Sequence, residues 1–163
     1  MYISCEKELR SIYSIQEGLH GKSVVATRDI PPQTILMRAS GELLTFEATR
    51  FLGEQEAYTV QVAVNKYILC RPPFRFVNHS CNPNAALDAD LFLYSLRLIK
   101  SGEEITWDYS SSMLERSWTM NCTCGAPHCR KLITDFDLLP VEIQQRYIRN
   151  GWVMPFILRA LGK

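Results

Sequence analysis

Three short runs of this chain carry side chains that could do chemistry. The first, Arg75-Phe76-Val77-Asn78-His79-Ser80-Cys81-Asn82-Pro83-Asn84, places an arginine, asparagines, a histidine and a cysteine between two strand-like segments. Side chains of these types need hydrogen-bonding partners once buried. The second is Gly102-Glu103-Glu104-Ile105-Thr106-Trp107-Asp108-Tyr109, polar and aromatic together. The third, Cys122-Thr123-Cys124-Gly125-Ala126-Pro127-His128-Cys129, brings three thiols into a single turn's reach. Thiolates at that spacing suit a structural zinc ion, which takes four Cys or His ligands in a tetrahedron. His128, Cys81, Cys70 and Cys5 are the candidates for the fourth ligand, and His128 is poorly placed because it adjoins Cys129. The alternative is a reduced cluster with no metal. A disulfide between Cys122 and Cys124 is disfavoured by bond geometry. Cys5 and Cys70 read as small buried hydrophobes.

The elements that must position these runs are mostly short strands. Ser23-Val24-Val25-Ala26-Thr27 and Thr34-Ile35-Leu36-Met37-Arg38 are two of them, separated by Pro31-Pro32, which fits inside neither. Thr59 to Val64 and Tyr67 to Cys70 read as a hairpin turning at Asn65-Lys66. Leu91 to Leu98 and Ile105 to Trp107 are further strand candidates, and Glu47 to Glu56 reads as a helical insertion. Residues 1–20 form a lead-in with Ile12 and Ile15 as packing residues. Near the C-terminus, Pro140 is expected as the first helical residue of a helix to Arg149, stopped by Gly151. Its buried face would hold Ile143, Tyr147 and Ile148. A second short helix is expected from Pro155 to Leu161.

Bulk properties set limits on the function. A chain of 163 residues fits one domain and buries enough surface to fold without disulfides. Its formal net charge of +1 argues against direct nucleic-acid binding held by bulk electrostatics. No apolar run approaches the roughly 20 residues that span a bilayer, so no membrane association is expected. The N-terminus lacks a signal-peptide layout. The six cysteines are then read as belonging to an intracellular, reducing compartment, with nucleus and cytoplasm equally open.

In order and spacing, the three runs resemble the SET-domain protein-lysine methyltransferases, over about residues 8–135. That resemblance implies a mostly β fold with some α (β+α), built from small curved sheets with a threaded C-terminal segment and C-terminal helices. The division it suggests is a SET domain at 1–111 (core about 8–111), a post-SET zinc segment at 112–135 and a helical extension at 136–163. In the family, a Cys at the position of Cys81 joins a Cys-x-Cys-x4-Cys motif around one structural zinc. The implied ligand set is Cys81, Cys122, Cys124 and Cys129. The implied cofactor is S-adenosyl-L-methionine. His20, Gly21, Lys22 and Ser23 match the family's glycine turn against it. Arg75, Phe76, Asn78 and His79 match the run that holds its amino-acid end, and Leu132 resembles the apolar residue near its adenine. Tyr109 matches the catalytic tyrosine, which also borders the cofactor. Glu54, Glu56, Asp88 and Asp90 could contribute an acidic groove.

The implied reaction moves a methyl group to a lysine side chain of a protein partner, histone or non-histone. The amine must be neutral to attack. With a free lysine pKa of about 10.4, deprotonation at pH 7 costs roughly 4.6 kcal/mol. A nearby sulfonium charge and a dry channel both lower that figure. Some positions depart from the pattern. Ser23 stands where the family has a second glycine, Ala39 where many members have a tyrosine, and Arg71-Pro72-Pro73-Phe74 where many have Gly-Asn. Trp107 occupies the position that tunes methyl number. These departures support an alternative, a SET-like module that binds a peptide or partner without turnover. A third reading is a zinc-stabilised scaffold pairing through exposed Trp152 and Phe156. Oligomeric state is not legible at this level.

Overall fold

The computed structural model describes residues 12–18 and 21–163. Among the described residues twelve short strands form five small sheets: β1 (Tyr13–Gly18), β2 (Gly21–Ala26), β3 (Ile35–Arg38), β4 (Gly41–Leu44), β5 (Thr59–Ala63), β6 (Lys66–Cys70), β7 (Asn78–His79), β8 (Ala85–Leu87), β9 (Phe92–Ser95), β10 (Thr106–Trp107), β11 (Met120–Asn121) and β12 (Leu132–Ile133). The sheets run β1-β2, β3-β9-β8, β4-β6-β5, β7-β10 and β11-β12. Among the described residues the α-helices are α1 (Phe46–Thr49), α2 (Val141–Arg149) and α3 (Pro155–Ala160).

Several expectations shift once the chain is folded. The expected lead-in contains β1, paired antiparallel with β2 from Tyr13↔Ala26 to Gly18↔Gly21. Ile12 is buried there, but Ile15 is exposed, because a two-stranded sheet leaves one face to solvent. The β5–β6 hairpin turns at Val64-Asn65, one residue earlier than expected, with Ala63 opposite Lys66. Asn65 has φ 55, a conformation that asparagine tolerates better than lysine. Its side chain also accepts the Phe46 N–H at the start of α1. The expected 47–56 helix resolves into α1 and a 3₁₀ segment, Gly53–Tyr58. Gly41 is needed for close approach, since a Cβ there would sit 1.9 Å from the Leu69 carbonyl oxygen on β6.

Pro140 is extended and precedes α2 rather than opening it, with its carbonyl accepting the N–H groups of Ile143 and Gln144. Tyr147 is the fully buried residue of α2, with Ile143 and Ile148 partly buried. The C-terminal helices belong to the main core: Phe156, Ile157, Val153 and Met154 pack with Leu36, Leu93 and Trp107 in one cluster. Phe156 is only 3% exposed and Trp152 is packed against the core, which removes the surface that the scaffold reading needed. A second, smaller cluster holds Cys81, Met113, Cys122 and Ile133. Among the described residues no helix is long and apolar enough to cross a membrane.

Candidate functional site

Pairing of β7 with β10 sets the site. The two strands are parallel, with Thr106 opposite Asn78 and Trp107 opposite His79. Asn84, buried at 2% exposure, staples this junction. Its Nδ2 donates to the Glu103 carboxylate at 3.0 Å and the Glu104 carbonyl at 2.8 Å, and its Oδ1 accepts the Thr106 N–H at 2.9 Å. Much of the polar density of the first run is therefore structural. It is satisfied by the second run, as buried amides require.

Asn78 faces elsewhere. Its Nδ2 donates to the Glu104 carboxylate at 2.7 Å and to the Lys22 carbonyl at 3.3 Å. With both amide hydrogens engaged, Oδ1 is what this side chain offers a ligand. That suits a donor such as an α-ammonium. Lys22 Nζ lies over the Phe76 ring at 5.3 Å, so Lys22, Phe76 and Asn78 come together. Gly21 carries the left-handed backbone, φ 88, while Ser23 sits in β2 with no positive φ. Serine at that position therefore carries no conformational penalty. His20 lies outside the described residues.

Arg75 lies between this group and Tyr58, its guanidinium 5.6 Å from the centre of the Phe76 ring. Its guanidinium stacks on Tyr58 at 4.0 Å, and its buried Nε has no hydrogen-bond partner among the described residues. It lines a narrow cavity of about 50 Å³ with Tyr58, Tyr67, Phe74, Trp107 and Tyr109. Trp107 lies 5.3 Å from Tyr109 and 5.7 Å from Phe74, ring centre to ring centre. The cavity wall also includes Glu56, Glu115 and Trp118. Burial pushes the Glu115 carboxyl up, against the lowering effect of its hydrogen bond with Tyr67. Of the acids considered for a groove, Glu56 is thus at the cavity. Asp88 instead closes the β8–β9 turn, accepting the N–H groups of Asp90 and Phe92.

Tyr109 reaches into the same cavity from the end of β10. Its hydroxyl donates to the Val77 carbonyl at 3.0 Å, and its N–H donates to His79 Nδ1 at 3.2 Å. Burial, reinforced by the Glu104 carboxylate, pushes the phenol well above its usual range. It is a neutral hydroxyl whose proton is engaged, leaving oxygen lone pairs to accept a hydrogen bond.

His79 faces the third run. Because Nδ1 accepts the Tyr109 N–H, its proton sits on Nε2, 3.3 Å from the Cys81 sulfur. Burial holds the imidazole near pKa 4, overriding the opposing pull of Asp108. The sulfurs of Cys81, Cys122, Cys124 and Cys129 all lie within 4.8 Å of one another. Cys81 and Cys122 are 3.7 Å apart. The edge of a tetrahedron around zinc, at 2.3 Å per sulfur, is about 3.8 Å. Two amides point at the sulfurs: the Cys81 N–H at Cys124 and the Arg130 N–H at Cys81, each at 3.4 Å. Burial alone would raise the Cys124 thiol, but N–H donors from Cys81 and Ala126 and the neighbouring thiols bring it down to about 6. The donor set and its spacing fit a thiolate-bound zinc ion. His128 is exposed and Cys70 lies in the main core, so neither is the fourth partner. Cys5 lies outside the described residues. Leu132 is exposed on β12, beside buried Ile133.

One residue of the second run carries more than its spacing announced. Asp108, 2% exposed, accepts both guanidinium arms of Arg130 at 2.7 and 2.8 Å and the Tyr147 hydroxyl at 2.7 Å. The pattern Trp-Asp-Tyr gave an acid at a strand end, but its partners lie far along the chain. Glu104, Tyr58, Tyr67 and Trp118 are likewise placed at the site by folding rather than by a local pattern.

Against known proteins, the model of the SET domain family matches residues 21–110. The chain is similar to Histone-lysine N-methyltransferase trr of Drosophila melanogaster, 28% identical over 147 residues, covering 80% of this chain and 6% of that protein. It is also similar to the Histone-lysine N-methyltransferase, H3 lysine-36 specific, of Debaryomyces hansenii, 30% identical over 145 residues (77% of this chain, 19% of that protein). A third relative is Histone-lysine N-methyltransferase 2D of Homo sapiens, 26% identical over 137 residues, covering 74% and 2%. The chain spans less than a fifth of the length of each of these relatives.

Proposed function

The chain belongs to the SET domain family, and from that premise we propose that it is a protein-lysine methyltransferase using S-adenosyl-L-methionine. The observation that carries the reading is Tyr109. Its hydroxyl proton is fixed on Val77, and the residue lines an aromatic cavity next to the Asn78 junction.

Asn78 Oδ1, Lys22, Phe76 and the Gly21 turn would hold the cofactor's amino-acid end, and Leu132 its adenine end. When bound, S-adenosyl-L-methionine supplies a sulfonium methyl open to in-line displacement. The chain's own residues then do three things. Tyr58, Phe74 and Trp107 exclude water and confine an alkyl ammonium chain, which favours loss of its proton. Tyr109 accepts an N–H from the neutral amine and aims its lone pair along the axis of attack. The carbonyl of Val77 keeps that hydroxyl from rotating. Alignment supplies most of the rate, and no strong side-chain base is required.

Cys81, Cys122, Cys124 and Cys129 would hold one structural zinc, since four thiolates close the shell and leave no open position. The ion would pin the 120–133 hairpin against the β7 junction. A histone or another protein presenting lysine is the substrate, as the relatives' names suggest for those proteins. Labelled methyl transfer into cell extract tests the proposal. Label on one or a few proteins is the expected result. Cofactor binding with no transfer to any protein would favour the binding module, and no cofactor binding at all would overturn the enzyme.

A further inference from the structure

We propose that Tyr147, in the C-terminal helix α2, is a positioning residue for Tyr109, acting through the carboxylate of Asp108. The proposal rests on the reading of Tyr109 as the residue that orients the amine.

Asp108 caps the 3₁₀ turn Tyr109–Ser112, its Oδ1 accepting the Ser110 N–H at 3.1 Å and its carbonyl the Ser111 N–H at 3.0 Å. A capping carboxylate can rotate about its own side-chain bonds, and here both oxygens are held. The Arg130 fork spans both of them, and the Tyr147 hydroxyl donates to Oδ2 at 2.7 Å. Arg130 follows the last thiol of the cysteine cluster directly, so the carboxylate is gripped from two remote segments. Tyr147 is 1% exposed, and its ring is packed edge-on against Trp152 at 5.6 Å. A phenylalanine would fill the same space. What the hydroxyl adds is a fixed, charge-assisted bond to the residue immediately before Tyr109.

The C-terminal segment holds the turn a second time. The Met154 N–H, between α2 and α3, donates to the Ser111 carbonyl at 3.0 Å. Tyr109 is in turn aimed by its N–H on His79 and its hydroxyl on Val77. A shift of the turn changes both angles, and small misplacements at a reacting centre are costly in rate. Arg130, Tyr147 and Met154 lie beyond residues 21–110, the part matched by the family, whereas Val77, His79, Asp108 and Tyr109 lie within it. The aim that His79 and Val77 set within the matched part is thereby held in place from the segment after it.

Tyr147→Phe in the full chain tests this, with Trp152→Phe as a packing control that leaves the hydroxyl in place. Tyr147→Phe is expected to lower kcat roughly tenfold, with KM for cofactor and protein substrate within about twofold. Amide exchange at Ser110 to Met113 should quicken while zinc content stays constant. Trp152→Phe should lower Tm and leave kcat near wild type. Unchanged kcat in an active enzyme, or an equal loss in both variants, overturns the proposal. If the wild-type chain transfers no methyl group, the methyltransferase reading fails by itself. Exchange then decides the remaining link: faster exchange in Tyr147→Phe upholds it, and unchanged exchange overturns it.

Discussion

The stretch from Glu103 to Asp108 is held by a carboxylate at each end, and the two ends differ in kind. Glu103 is paired with Arg97, accepts from Asn84 and the Lys100 N–H, and leaves 29% of its side chain in solvent. Asp108 leaves 1% and meets a guanidinium fork, a phenol and an amide. Chemically both are carboxylate–arginine pairs. Water screens one and is excluded from the other, so their energetics diverge. The exposed clamp closes a loop. The buried one fixes the orientation of the residue that follows it.

The largest effect should come from Asp108→Ala. It strands the Arg130 guanidinium and the Tyr147 hydroxyl in the interior, and a loss of about 3–5 kcal/mol in urea unfolding is expected. A loss below about 1 kcal/mol would erase the contrast between the two ends. Next comes the metal. Chelation should release one zinc per chain and weaken binding of S-adenosylhomocysteine, because the His79 ring touches Cys81 while Asn78 adjoins it. Calorimetry on Cys81→Ser should show the same weakening, and unchanged affinity there would separate the thiol cluster from the cofactor pocket.

Glu103→Gln should matter least at neutral pH, about 1 kcal/mol or less. Its signature is in acid. Hydrogen bonds from Arg97 first, then from Asn84 and the Lys100 N–H, hold the Glu103 carboxyl at about 2. A depressed folded-state value means that its stabilisation is full above the ordinary glutamate range, near pH 4.5, and fades as pH falls toward 2. Urea midpoints measured across that window should fall less steeply in Glu103→Gln than in the wild type. Parallel curves would show that Glu103 contributes nothing to the acid limb.

Legibility in the sequence followed the range of the interactions. The thiol cluster and the Asn78-His79-x-Cys81 junction stand out because their partners are covalently near or belong to a spaced motif. β2, β3, β5 and β6 stand out because four or more residues carry a strand pattern. β10 is expected at Ile105 to Trp107, but a two-residue strand such as β7 leaves no period to detect, and its parallel pairing with β10 depends on topology alone. The bond from Tyr147 to Asp108 spans 39 positions and crosses from a helix to a strand end, so no local pattern encodes it. Ile15 looked like a packing residue from its type, yet a two-stranded sheet gave it only one covered face to compete for. Ser23 stands where the family has a second glycine, and only the backbone shows that the left-handed position is Gly21.

The central claim, that Tyr109 serves the reacting centre and is not simply a core tyrosine, is tested most directly by labelled methyl transfer to a protein substrate with Tyr109→Phe beside the wild type. Tyr109→Phe is predicted to bind S-adenosylhomocysteine as the wild type does and to lose roughly tenfold or more in kcat. Wild-type turnover in that variant would contradict the account.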